Sequence, residues 1–192
     1  MRSSRTLFAL TLLCAFSTVA GAQDGRVWPA KRAFLVLGEG LATGGGGLLN
    51  NGTSIMHAMR VGAVARITGT HGVDFTAVRL QTIIPPSSRL NDTEYANPEG
   101  DALILSYASL NRTRAGGMPN ELALGGGIIR RQTSEAGRTR DTWVVRIGYD
   151  ADPFARWSEH FDSGIGFQAY LMESRGNSLV YVASLGLYLR IG

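Results

Sequence analysis

Several features that would point to other classes of protein are scarce in this chain. Cys14 is the only cysteine and lies in the leading apolar segment, so the rest of the chain has no disulfide and no thiol chemistry. No segment holds the roughly 20 consecutive apolar residues that a membrane-spanning helix needs. The three histidines are scattered without metal-ligand spacing. The sequence therefore predicts neither a disulfide scaffold nor helical spans, and it gives no sign of a metal or cofactor.

Lysine is also nearly absent, and the charge of the chain is close to balanced. Lys31 is the only lysine among 19 basic residues, which stand against 15 acidic ones. No cluster of basic residues with interleaved aromatic residues is present, and such a cluster is what a nucleic-acid surface requires. We therefore expect no nucleic-acid partner.

The first 22 residues have the organisation of a secretory signal peptide. Arg2 and Arg5 precede an apolar run over 7–16, and Ala20-Gly21-Ala22 supplies the small residues that signal peptidase requires. The sequence predicts cleavage before Gln23 and one mature domain over 23–192.

The most informative segment is the end of the chain, 179–191, where every second residue is apolar. Successive side chains of a β-strand point to opposite faces, so this segment predicts a strand with one fully apolar face and one mixed face. Such a strand is typical of a membrane β-barrel. The apolar set is Leu179, Tyr181, Ala183, Leu185, Leu187, Leu189 and Ile191.

The same alternation recurs along the mature chain, between turn-rich segments, and no helical stripe of any length interrupts it. Eight strands are predicted, at about 32–42, 54–69, 73–84, 101–110, 121–130, 142–150, 164–172 and 179–191. In lipid only a closed sheet leaves no unpaired edge. We therefore predict an all-β fold, a closed antiparallel up-and-down transmembrane barrel of about eight strands.

The alternation also predicts which side chains face the lumen and which face lipid. A barrel of eight strands has an interior just wide enough for side chains to fill it, so buried charges there need partners. We expect a structural network of arginine–carboxylate pairs that plugs the lumen, formed by Glu39, Arg60, Arg66, Arg79, Glu121, Arg146, Asp150 and Arg190. For Glu39, which shares the parity of the leucines around it, this requires a bulge near Gly38 or Gly40. An aromatic girdle at the headgroup level is predicted from Trp143, Tyr149 and Tyr181.

The last strand also resembles the C-terminal assembly signal of bacterial outer-membrane barrels. Ser184, Gly186, Leu189 and Ile191 occupy the matching positions, although the family usually closes on an aromatic residue. Together with the signal peptide, the cysteine-free mature chain and the eight alternating segments, this pattern resembles the small outer-membrane barrels of the OmpA/OmpX type. The resemblance implies an outer-membrane location, outer-membrane lipid and lipopolysaccharide as surroundings, and insertion by the barrel-assembly machinery.

The resemblance also implies a non-enzymatic role in envelope structure or surface interaction, with an unknown surface ligand. Two alternatives stay open. A secreted soluble barrel of the lipocalin or avidin type would bind a small hydrophobic ligand, but it would have to bury the arginines of the mixed face in an aliphatic cup. A lipid A-modifying barrel enzyme would need His57 to meet Ser54 or Asp101, and we predict no catalytic residue.

Overall fold

The structure is a computed structural model of the chain, and it describes residues 33–46, 54–68, 70–84, 99–111, 120–132, 139–151, 161–173 and 179–192. The predicted signal peptide over 1–22 lies outside these residues. No helix in the described ranges is long and apolar enough to cross a membrane.

Eight β-strands account for almost all of the described residues, and all eight predicted segments are confirmed. Most strands begin or end a few residues beyond the predicted bounds. They are β1 (Ala33–Gly46), β2 (Ser54–Thr68), β3 (His71–Ile84), β4 (Gly100–Asn111), β5 (Asn120–Gln132), β6 (Thr139–Ala151), β7 (Phe161–Glu173) and β8 (Leu179–Ile191).

The strands form one closed barrel in sequence order. Each strand pairs antiparallel with the next, and β8 closes the ring by pairing with β1 from Leu35↔Ile191 to Gly46↔Val180. No strand among the eight is left with an open edge, which is the condition for a sheet in lipid. We call the end with the β1–β2, β3–β4, β5–β6 and β7–β8 connections the upper end, and the opposite end the lower end.

Large apolar side chains cover the outside of the barrel, as the alternation predicts. They include leucines of β1, β4 and β5 and the row Trp143, Val145, Ile147 and Tyr149 of β6, all between 40 % and 58 % exposed. A soluble protein rarely exposes so large a continuous apolar surface. We call this surface the apolar band.

The inside of the barrel is filled in layers. Toward the upper end lies a purely apolar layer in which Met56, Leu80, Ile104, Ile129 and Val144 are at most 2 % exposed. Toward the lower end a smaller cluster surrounds Phe34 and Tyr188. Between and beside these apolar clusters lie the buried charges.

Candidate functional site: the lumen and the outer wall

Arg146 is the most deeply buried charge of the lumen, with 1 % exposure. From β6 its Nη1 donates to the Asp74 carboxylate of β3 at 2.6 Å and to the Thr76 hydroxyl at 3.1 Å. Its Nε donates to the Gln168 amide oxygen at 2.7 Å. Charge-assisted bonds of this kind are needed to offset the cost of burying a guanidinium.

Asp150 joins this cluster to a second one. Its Oδ1 accepts from Gln168 Nε2 at 2.9 Å, and its two oxygens accept from Arg60 at 3.3 and 2.6 Å. Arg60 belongs to β2 and Asp150 to β6, which are diametrically opposite strands in a ring of eight. The pair therefore crosses the full width of the lumen.

Arg190 completes the network near the lower end. Its Nη2 donates to Glu121 Oε2 of β5 at 2.9 Å and lies 3.7 Å from Asp150 Oδ2. Its guanidinium also lies over the rings of Tyr188 and Phe34, 4.6 and 5.3 Å from their centroids. Stacking on aromatic faces suits the planar, weakly hydrated guanidinium.

The lumen network thus contains three arginines and three carboxylates, all at most 8 % exposed: Arg60, Arg146, Arg190, Asp74, Glu121 and Asp150. Because opposite charges are equal in number, the network carries no net charge when all six groups are ionised. It is continuous from Asp74 through Arg146, Gln168, Asp150 and Arg190 to Glu121.

Five predicted lumen residues are part of this network, and Asp74, Thr76, Gln168 and Ser106 are members that the sequence pattern did not identify. Arg66, also predicted to be inside, shares the inner parity of β2 and is half-buried. Asp74 was missed because the apolar Val78 and Leu80 suggested the opposite phase for β3. Phe75 and Ala77, which face outward, carried the correct signal.

The prediction that Arg79 faces the lumen is wrong. Arg79 is on the outer wall, where Nε donates to Asp101 Oδ1 at 2.7 Å, and the two side chains are 64 % and 60 % exposed. The cause is the apolar upper layer of the lumen. There the inner face of β3 is the more apolar one, so the usual relation between polarity and face is inverted.

Arg79 and Asp101 begin a row of alternating charge across the outer wall. Asp101 lies directly opposite Arg130, and Arg130 lies directly opposite Asp141, which accepts from it at 2.9 and 3.1 Å. We call Arg79, Asp101, Arg130 and Asp141 the outer charge row. It crosses β3 to β6 just above Leu103, Ile128 and Trp143. On β4 to β6 it forms the upper border of the apolar band, whereas on β3 the exposed Ile83 lies above Arg79.

The prediction that Glu39 switches into the lumen is also wrong. β1 pairs with β2 and β8 without a register shift, so no bulge changes its parity. A side chain on Gly38 would meet Arg60 in the lumen, and Glu39 therefore has the outward parity of Leu37 and Leu41. It is nevertheless buried there, with Oε1 2.6 Å from His57 Nε2.

We expect His57→Leu to destabilise the barrel by about 1–3 kcal/mol, because it leaves a buried carboxylate without its partner on an apolar wall. Urea titration of the folded protein in lipid vesicles measures the change. The double variant Glu39→Leu/His57→Leu should recover the lost stability, since both polar groups are then removed together. Equal losses in the single and the double variant would contradict this reading.

The predicted aromatic and terminal-strand residues lie where the alternation places them. Trp143, Tyr149 and Tyr181 are 41 %, 43 % and 46 % exposed on the outer wall. Ser184 is buried on the inner face, and Leu189 and Ile191 are half-buried with outward parity. Gly186 faces Gly40 across the β1–β8 seam, where a side chain on either would come within 2.8 Å of the other strand's backbone. The girdle and assembly roles stay predictions.

The residues that the alternative of a lipid A-modifying enzyme would require do not meet. Ser54 donates its hydroxyl to the Gly44 carbonyl at 2.9 Å, and Asp101 pairs with Arg79, whereas His57 contacts Glu39. Within the described ranges no group of three or more histidine, cysteine, aspartate or glutamate side chains is arranged to hold a metal ion.

Comparison with solved structures identifies the fold as that of small outer-membrane barrels. Neisserial surface protein A (NspA) matches with a TM-score of 0.59 and 12 % identity over 84 % of this chain and 97 % of that chain. The N-terminal barrel domain of Pseudomonas aeruginosa OprF and the attachment invasion locus protein Ail of Yersinia pestis are 12 % identical over 84 % of this chain, covering 98 % and 100 % of theirs. Their TM-scores, 0.44 and 0.39, add nothing to the fold assignment.

No family model matches the chain, and no curated protein matches it. The likeness to NspA therefore concerns the fold alone.

Proposed function

We propose that this chain is a bacterial outer-membrane barrel that conducts no ions and acts in envelope structure or surface interaction rather than in catalysis. The observation that carries the proposal is the filled interior. Three ion pairs fill the lumen, one of them between the opposite strands β2 and β6, and an apolar layer with almost no exposed surface lies above them. An ion would have to break paired charges and then pass hydrocarbon without hydration.

The polarity of the two faces supports a membrane protein over a secreted soluble barrel. A lipocalin-like or avidin-like cup keeps apolar residues inside and polar residues outside. Here Leu105, Leu124 and Phe167 are 58 %, 55 % and 46 % exposed, whereas Arg146 and Glu121 are buried at 1 % and 2 % exposure. The outer surface of this barrel suits hydrocarbon, and its interior is not a cup for a hydrophobic ligand.

The outer charge row supports lipopolysaccharide and outer-membrane lipid as the surroundings of the upper end. Its four side chains are 50–66 % exposed at the border of the apolar band, at the depth where charged headgroups replace hydrocarbon. The proposal also includes the route to the membrane. The chain is exported through a cleaved signal peptide, and the barrel-assembly machinery recognises the last strand and inserts the barrel. We expect an unidentified surface ligand to bind at the upper end.

The first experiment tests the closed transmembrane barrel itself. Membranes from cells that express the full chain are washed with urea, and boiled and unboiled samples are compared on an SDS gel. A protein that stays with the membrane and migrates differently after boiling supports the proposal. Recovery in the soluble fraction without a mobility shift would refute it and favour the soluble barrel.

A second experiment tests the absence of conduction. The purified barrel, inserted into planar bilayers at neutral pH, is expected to give no stepwise current, with an open porin as the positive control for insertion. The reason is that both the charge network and the apolar layer must open together. Reproducible current steps in preparations of heat-modifiable barrel would contradict the closed lumen.

A further inference from the structure

The outer wall where β4 and β5 pair joins charges of both signs to strongly exposed hydrocarbon. Its four leucine and isoleucine side chains are 55–61 % exposed, and they lie directly below two members of the outer charge row. Apolar surfaces alone gain little by leaving lipid, so polar and small residues are what hold transmembrane segments together. We call the β4–β5 wall the outward side chains of Asp101, Leu103, Leu105, Leu124, Gly126, Ile128 and Arg130.

Asp101 and Arg130 lie directly opposite each other in this wall, and each forms a two-bond pair with the strand on its other side. Asp101 accepts two bonds from Arg79, and Arg130 donates two to Asp141. A carboxylate accepts up to about four bonds and a guanidinium donates about five, so both groups keep capacity for a further partner. The two side chains are 60 % and 66 % exposed, and this capacity faces away from the barrel.

A second copy of the chain presents the matching charges. Two barrels inserted in the same direction are related by a twofold axis along the membrane normal, and such an interface uses the same surface on both copies. An axis beside the β4–β5 wall places β4 of each copy against β5 of the other. Asp101 then faces Arg130 of the second copy, and Arg130 faces Asp101 of the second copy. An anionic headgroup would satisfy only Arg130.

The stagger of the strands determines which charges meet. Following directly paired residues around the ring from Val36 leads back to β1 at Gly46, ten residues further on. Each residue therefore lies roughly 3 Å higher along the barrel axis than its opposite on the preceding strand, an offset that an arginine side chain spans. Arg79 and Asp141 of facing copies would differ in height by roughly 9 Å and do not meet.

The shape of the wall fits the same axis. Gly126 leaves a notch between Leu124 and Ile128, and the space outside it is open, since an added Cβ would find only the Val144 oxygen at 3.4 Å. Leu105 lies directly opposite Gly126. The twofold axis that pairs the charges thus also places Leu105 of each copy over the notch of the other. Small residues at such a contact allow two backbones to approach closely.

We propose that two copies of this chain associate side by side in the membrane through their β4–β5 walls. Asp101 of each copy pairs with Arg130 of the other, and Leu105 of each copy fills the notch at Gly126 of the other. The proposal rests on the membrane location proposed above. Two observations carry it independently, the alternation of charge between β4 and β5 and the notch below it.

Disulfide cross-linking in membranes tests which walls face each other. Two copies with different affinity tags are expressed together in a Cys14→Ser background, one with Leu103→Cys and the other with Ile128→Cys, a pair that lies directly opposite in the wall. Oxidation is expected to give the mixed dimer. The matched control combines Ile128→Cys with Leu41→Cys, which is 55 % exposed but lies on β1, across the ring from β5. Equal yields from both combinations would indicate random collision and overturn the proposal.

Sedimentation equilibrium of the full-length barrel in density-matched micelles measures the strength of the contact. Arg130→Gln should raise the dissociation constant of the dimer about tenfold or more, because it removes both ion pairs between the copies. Arg79→Gln is the control, since it removes an equally exposed arginine of the same row that meets no charge of the second copy. Its effect should stay below about threefold. Gly126→Leu fills the notch and should weaken the dimer as Arg130→Gln does.

A barrel that sediments as a monomer at every protein-to-detergent ratio, or equal effects of Arg130→Gln and Arg79→Gln, would overturn the proposal. Heat-modifiability of each variant shows separately that the barrel is folded. Recovery of the chain in the soluble fraction would instead refute the membrane location, so the two failures are distinguishable.

Discussion

Replacement of Arg146 by methionine is expected to lower the free energy of unfolding by about 3–5 kcal/mol, the largest effect of any single charge in the barrel. The guanidinium is 1 % exposed, and its loss leaves the Asp74 carboxylate, also buried, with the Thr76 hydroxyl but without its cation. Gln168 loses its donor at the same time. Urea titration in lipid vesicles, monitored by tryptophan fluorescence, measures the change.

Arg79→Met is the matched control, because it also removes an arginine from an aspartate partner on a strand of the same barrel. Its pair is well exposed on the outer wall, where such interactions contribute at most about 1 kcal/mol. Arg146→Met/Asp74→Leu should recover much of the loss, since no buried charge then stands alone. If the two single variants cost the same, the lumen network does not have the energetic role that its burial indicates.

The number of strands, their order along the chain and most of their faces follow from the sequence because alternation has a period of two. A run such as Trp143, Val145, Ile147 and Tyr149 against Arg146 and Asp150 predicts a strand with an apolar outer face and a polar inner face. Strand β8 supplies the same signal, and its observed bounds are those predicted. Closure follows because lipid tolerates no free sheet edge.

The alternation assigns the wrong face to the lumen where the inner face of a strand is more apolar than its outer face. On β3 the upper lumen is apolar and the outer wall carries Arg79, so polarity alone gives the wrong phase, and with it Asp74 is lost from the predicted network. The prediction that Glu39 faces the lumen was wrong for a different reason. Its partner, His57, lies on the neighbouring strand at a diagonal position, and sequence spacing within one strand does not reveal such a pair.

The sequence also does not show at which glycine a larger side chain would destabilise the barrel. On β5 three consecutive glycines look equivalent in the printed chain. Gly125 and Gly127 share the inner parity and Gly126 the outer one. A Cβ built on Gly127 would lie 1.9 Å from the Leu103 carbonyl oxygen and 2.8 Å from Ile104 Cα. These are backbone atoms of β4, which cannot move aside without breaking the β4–β5 pairing.

Gly127→Ala is therefore expected to destabilise the barrel by about 3 kcal/mol or more, the upper range for overpacking, and to reduce the heat-modifiable fraction after refolding. Gly126→Ala is the control one residue away, because its Cβ would find only the Val144 oxygen at 3.4 Å. At Gly126 alanine reduces the conformational entropy of the unfolded chain without a clash in the folded one. The free energy of unfolding should therefore stay unchanged or rise by roughly 0.5–1 kcal/mol. Urea midpoints of the two variants provide the comparison. A large loss of stability in Gly127→Ala with no loss in Gly126→Ala would show that the close approach of β4 and β5 requires glycine at 127. Similar losses in both variants would contradict this explanation.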